Sequence, residues 1–201
     1  MAETPFNPLD KKNLGVSVAD AVLARPISAL PPKDSFDGAG IYAIYYTGPF
    51  PAYKKVAERN RGGKFQTPIY VGKAIPPGGR KGILDPEAKT GPVLYKRLCE
   101  HADSIMQAKS TLSLEDFFCR YLLVDDIWIP LGESLLIQIL SPLWNQVIDG
   151  FGNHDPGKGR YQGLCPAWDI VHPGRHWATK CHPNPKGQSE WLADIKKALK
   201  D

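Results

Sequence analysis

The chain has 201 residues, of which 42% are hydrophobic and 23% charged; it is long enough to bury a core without disulfide or metal staples, and a globally disordered chain is excluded. The net charge of +4, with a pI near 8.8, is too mild by itself to name a nucleic-acid partner. Its distribution says more: residues 53–109 hold 12 of the 25 basic residues and 5 of the 21 acids, a local balance of +7, and the rest of the chain sums to −3. One basic region on a near-neutral chain is the electrostatic footprint expected of a polyanion-binding surface.

Residues 1–15 are polar and predict little order. A short helix is expected over 16–24, stopped by Pro26 and Pro31-Pro32. Gly40-Ile41-Tyr42-Ala43-Ile44-Tyr45-Tyr46 reads as a strand, being rich in β-branched and aromatic residues. A basic, polar segment follows over 53–66, and Pro68 to Lys73 reads as a second strand. The stretch 75–92, with Pro76-Pro77-Gly78-Gly79, reads as loop. Leu94, Leu98, Ala102 and Ile105 repeat at helical spacing and predict a helix over 93–109. Phe117 to Val124 is a third strand, and an apolar helix over 132–141 ends at Pro142. The chain turns Gly- and Pro-rich after Asn145, until an amphipathic helix over 188–200. This order predicts a small mixed α/β sheet covered by helices.

The four cysteines, at 99, 119, 165 and 181, form no CxxC pair and predict reduced thiols in an intracellular protein. The first 25 residues hold no apolar core of a secretory signal. No apolar stretch approaches the roughly 18 residues of a membrane span.

On the first long helix, Arg97 and His101 stand four residues apart on one face, beside the apolar stripe. They are either a surface pair or a cation and a titratable ring held together at the edge of the core. On the second, Glu133 is the one charge among Leu135, Leu136, Ile137, Ile139 and Leu140. It either favours the positive helix end or serves as a lone hard ligand, and hydrated Mg²⁺ needs only one or two protein carboxylates. Tyr42 and Tyr70 each lie near a strand glycine, Gly40 and Gly72, where a ligand or another backbone can approach. Each is otherwise an ordinary core or sheet aromatic.

Gly40-Ile41-Tyr42 and Tyr70-Val71-Gly72, about 30 residues apart on two strands, resemble the paired signature of the GIY-YIG nuclease superfamily, with Val in place of Ile in the second element. Arg97, His101, Glu133 and Asn145 follow in the family's order. The wider text resembles the small type II restriction endonucleases, in particular members that cut CCGCGG; it includes Ile69-Tyr70-Val71-Gly72-Lys73-Ala74, Pro142-Leu143-Trp144-Asn145 and Asp149-Gly150-Phe151-Gly152-Asn153-His154. The resemblance covers roughly residues 30–182. It implies an α/β (α+β) fold with a small central three-stranded, mostly antiparallel sheet flanked by helices. The whole of 1–201 would be one nuclease domain with its core at about 38–148, an N-terminal extension over 1–37 and a C-terminal one over 149–201.

The resemblance also implies in-line attack of water on a DNA phosphodiester, leaving 5′-phosphate and 3′-hydroxyl ends. Tyr42 would be the general base, helped by His101. Arg97 would hold a nonbridging oxygen, Glu133 would carry one Mg²⁺ (Mn²⁺ as a substitute), Tyr70 would position the phosphate or a metal-bound water, and Asn145 would orient the site. The expected partner is double-stranded DNA, cut at a short palindromic, G·C-rich site by a homodimer. A bacterial cytoplasmic location and a cognate methyltransferase in the same cell follow from the same resemblance. Lys54, Lys55, Arg59, Arg61, Lys64, Lys73, Arg80 and Lys81 are the candidates for DNA contact, or else a solvated basic face.

Two further signals carry little. Gly152-x₄-Gly157-Lys158 resembles a phosphate loop, but Gly159 replaces the required Ser or Thr and no strand precedes it. Cys165, His172, His176, Cys181 and His182 fit no common zinc spacing, and the simpler reading is a loop-rich segment that packs Trp168 and Trp177. Against the restriction enzyme stand a repair or mobile-DNA nuclease of the same superfamily, an inactive DNA-binding protein, and a metabolic enzyme whose basic stretch is accidental.

Overall fold

A computed structural model of the chain describes residues 7, 10–76, 91–157 and 159–200. Most of the loop expected over 75–92, with Arg80 and Lys81, lies outside the described residues, as does Lys158. The chain forms α1 (Lys11–Leu23), β1 (Ser28–Ala29), β2 (Gly40–Tyr46), α2 (Lys54–Asn60), β3 (Tyr70–Ala74), α3 (Val93–Gln107), β4 (Phe117–Leu123), α4 (Ile129–Leu140), α5 (Leu143–Gln146), α6 (Ala167–Val171) and α7 (Gln188–Ala198).

The described sheet has four antiparallel strands in the order β1-β4-β2-β3, one more than expected. The extra strand is two residues long, too short for any alternation to mark it. All seven residues of β2 are buried because both faces of this central strand are covered. Tyr42, Ile44 and Tyr46 pack with Leu94, Leu98, Ala102 and Ile105 of α3. Ile41, Ala43 and Tyr45 pack on the other face with Ala19 and Val22 of α1 and Ile129 and Leu136 of α4.

Three segments differ from their sequence readings. The first helix begins at Lys11, inside the stretch expected to have little order and five residues ahead of the expected span 16–24. Residues 54–60 are helical, with Val56, Ala57 and Asn60 turned inward; the lysines on the outer face had dominated the pattern. The Gly- and Pro-rich C-terminal stretch does not merely lie on the domain. Its Phe151, Trp168 and Val171 join the same core as Tyr42, along with Trp144 before the stretch and Ile195 of α7 after it, while Trp177 stays half-buried.

A buried polar chain ties these pieces together. Trp144 Nε1 donates to Tyr53 Oη at 3.0 Å, Tyr53 Oη meets His172 Nε2 at 2.5 Å, and His172 Nδ1 meets Thr111 Oγ1 at 2.8 Å. With His172 thus committed to the core, the Cys/His residues at 165–182 do not gather, and no group of three His, Cys, Asp or Glu among the described residues could hold a metal. All four cysteines are free thiols. No described helix is long and apolar enough to cross a membrane.

Candidate active site

The site forms at β3, which pairs only with β2 among the described residues and so presents a free edge. Tyr42 stands directly opposite Gly72 in the antiparallel register. A Cβ at Gly72 would fall on the Tyr42 phenol, and one at Gly40 would fall on the Leu122 carbonyl of β4. The two signature glycines therefore make room for a phenol and for a neighbouring strand. Asn145 occupies the free edge: its amide accepts from Val71 N at 2.8 Å and donates to Val71 O at 2.9 Å, while Trp144 N donates to Ile69 O. One side chain thus does what a fifth strand would do, and it fixes the backbone between Tyr70 and Gly72.

Tyr42 Oη lies 2.6 Å from His101 Nε2, and both residues are buried. The surface-pair reading of Arg97 and His101 is therefore overturned. Tyr70 and Phe151 complete the packing of His101, with ring centroids 5.3 and 4.5 Å away, the latter stacked. Burial holds the Tyr42 phenol well above its usual value, reinforced by Tyr70 and opposed by Arg97. Burial, then the charge of Arg97, holds His101 well below the usual imidazole value. The resting pair is a neutral phenol and a neutral imidazole.

Arg97 reaches across the mouth of the site. It donates to Glu100 Oε2 at 2.7 Å and to the Gly152 carbonyl at 2.5 Å, and its Nη1 lies 2.5 Å from His154 Nε2. Glu133 is the fifth residue of α4, past the first turn, so it does not serve the helix end. Instead it pairs with Lys73 Nζ at 2.5 Å. Lys73 stands opposite Ile41 in the register, hence on the α4 face of the sheet, and the pair meets Tyr42 and Tyr70 around the edge of β3.

Tyr42, Tyr70, Lys73, Arg97 and Glu133 border one cleft of about 780 Å³ together with Lys96, and His101 stands behind Tyr42 without lining it. Asn145 braces it from the strand edge and does not line it. The other basic candidates lie elsewhere. Arg61 holds the Thr47 and Gly48 carbonyls beyond the C-terminal end of β2, Lys55 donates to the Lys200 carbonyl, Lys54 lies 3.9 Å from Glu58, and Arg59 and Lys64 are exposed. None of the five borders the cleft. Lys96, Gly152 and His154 were not named as site residues in the sequence, although the last two lie in the resembling run Asp149 to His154. Lys96 carries no spacing signal, and the other two act from a loop whose path only the fold determines.

A phenol backed by a buried imidazole, with a guanidinium and a carboxylate facing the same open cleft, forms a constellation for charge development on a phosphoryl group. The family model described as the Eco29kI GIY-YIG domain matches residues 34–199. The chain belongs to this family. It is thereby a GIY-YIG endonuclease of the restriction type, a hydrolase whose substrate is DNA. No curated protein matches the chain.

Proposed function

We propose that this GIY-YIG protein is a type II restriction endonuclease that hydrolyses double-stranded DNA at a short palindromic, G·C-rich site, with CCGCGG as the first sequence to try. The observation that carries the reading is the convergence of Tyr42, Arg97 and Glu133 on one cleft with room for a backbone phosphate, with His101 bonded to Tyr42 from behind.

Water attacks the phosphorus in line. The Tyr42 oxygen takes a proton from that water as its own proton passes to His101 Nε2 over 2.6 Å, so no free phenolate has to be stored in a site where burial disfavours one. The charge of the entering phosphodiester raises the basicity of His101 and makes the transfer favourable. Arg97, already at the cleft, holds a nonbridging oxygen and offsets the charge that grows on it. Tyr70, at the mouth, orients the phosphate.

The residues fit one largely hydrated divalent ion: Glu133 is a single carboxylate, 18% exposed, at an open cleft with room for water ligands. Glu133 would hold Mg²⁺, with Mn²⁺ as a substitute, and Lys73 would yield part of its contact to it. Bound there, the ion would polarise the phosphate and stabilise the leaving 3′ oxygen. A palindromic site implies a homodimer with one cleft per strand.

The test is incubation of the protein with plasmid DNA and Mg²⁺, followed by mapping of the fragment ends. Discrete fragments with 5′-phosphate and 3′-hydroxyl ends are expected. Smearing or structure-dependent nicking would contradict sequence-specific restriction, and binding without cutting would contradict hydrolysis.

A further inference from the structure

Arg175 is a buried cation, 1% exposed, with every N–H in use. Nε donates to Asp169 Oδ1 at 2.7 Å and Nη2 to Asp169 Oδ2 at 2.5 Å. Nη2 also reaches the Gly150 carbonyl at 2.9 Å, and Nη1 reaches those of Phe151 and Asn153 at 3.0 and 3.1 Å. The guanidinium is flanked by the rings of Trp168 and Trp177, each 4.7 Å from its carbon. A guanidinium has five donors in a rigid fork, and five acceptors meet them here. Three of the five belong to one short loop.

The other side of that loop is a wall of the active site. Phe151 stacks on His101 at 4.5 Å and meets Tyr70 edge-on at 5.0 Å. The Gly152 carbonyl and the His154 ring both bind Arg97. We propose that Arg175, paired with Asp169, is a positioning residue for hydrolysis: it fixes loop 150–154 so that Phe151 shields His101 from water, and Gly152 and His154 hold Arg97 at the cleft. The inference rests on the reading of the cleft as a phosphodiester-hydrolysing site.

A lysine at 175 separates positioning from charge. It keeps the positive charge and loses the fork. The groups facing His101 are Tyr42 and Tyr70 from the sheet, Arg97 from its own helix, Phe151 and His154 from the loop, and Arg175 behind them. In Arg175→Lys their charges are unchanged, so a change in His101 reports water entry.

The experiment uses the full chain and follows histidine ring NMR from about pH 5 to 8, with the His101 signal assigned through His101→Gln. Single-turnover cleavage in Mg²⁺ and DNA affinity in Ca²⁺ are measured on the same proteins. In the parent, His101 is expected to stay silent. In folded Arg175→Lys it is expected to titrate toward 6.5, with cleavage slowed about 10- to 100-fold and affinity changed by less than about threefold. Trp177→Leu uncovers one face of the guanidinium from a half-buried position and decides the matter if Arg175→Lys does not fold; the same changes are expected, with a cleavage loss of about three- to tenfold. Silent His101 and unchanged cleavage in a folded variant would overturn the proposal, whatever the loss of stability. A parent that cuts no DNA would overturn the hydrolytic reading, and the His101 titration would still test the clamp.

Discussion

Tyr42 and His101 illustrate how burial selects a mechanism. Each is held in its neutral form by desolvation, so the pair is suited to passing a proton and unsuited to holding a charge. Tyr42→Phe keeps the ring and removes only the hydroxyl. Single-turnover cleavage is expected to fall by about 10²- to 10⁴-fold, the usual reach of a positioned acid–base group. Thermal or urea melting should show a loss of about 1–3 kcal/mol, because His101 Nε2 then lacks its partner. A Phe variant that cuts at the parent rate would move the base role away from Tyr42. The types and order of these residues were legible in the sequence because the resemblance to the GIY-YIG signature marks them. Their depth was not, since a helical Arg and His four residues apart look the same on a surface as at the edge of a core.

Among the elements, β3 depends on a side chain for its outer hydrogen bonds. Asn145→Asp is nearly isosteric, but a carboxylate cannot donate to the Val71 carbonyl and sets two acceptors face to face. A destabilisation of about 1–3 kcal/mol is expected by denaturant titration, with slower cleavage because Tyr70 and Gly72 flank the bond. Stability equal to the parent would remove the edge-capping role. A second expectation concerns the join between α6 and the rest of the core. Burial pushes His172 down to about 3, against 6.5 when the chain is unfolded. Between those values the unfolded chain takes up a proton that the folded chain refuses. Stability is therefore unaffected above pH 6.5 and falls below it, by up to about 1.4 kcal/mol per pH unit for this one group, until pH approaches 3. His101 acts in the same direction. Urea midpoints followed downward from neutral pH should shift accordingly, and a flat profile would contradict the buried neutral state. The strands and long helices were legible because alternation and helical spacing run through them. The two-residue β1 and the α2 helix were not, one for want of length and the other because exposed lysines mask its inner face of Val56, Ala57 and Asn60.

At the scale of the molecule, only part of the basic region at 53–109 serves the cleft. The basic run at 54–64 lies away from the cleft, whose lysines and arginine among the described residues are Lys73, Lys96 and Arg97. Lys73 is paired with Glu133, which leaves Lys96 as a cleft lysine for phosphate contact. Lys96→Ala is expected to weaken DNA binding evenly across sequences and to lower the slope of log affinity against log salt by about one; an unchanged slope would place the contact elsewhere. The C-terminal stretch offered little pattern in the sequence because its order comes from Arg175 and from tryptophans that meet only in the folded chain. The account stands most directly on Glu133, measured by cleavage and affinity on one duplex. Glu133→Gln keeps the shape, removes the carboxylate charge and frees the Lys73 ammonium, so DNA should bind as well as or better than to the parent, while Mg²⁺-dependent cleavage falls by about 10³-fold or more. Cleavage at the parent rate by a folded Glu133→Gln protein would contradict it.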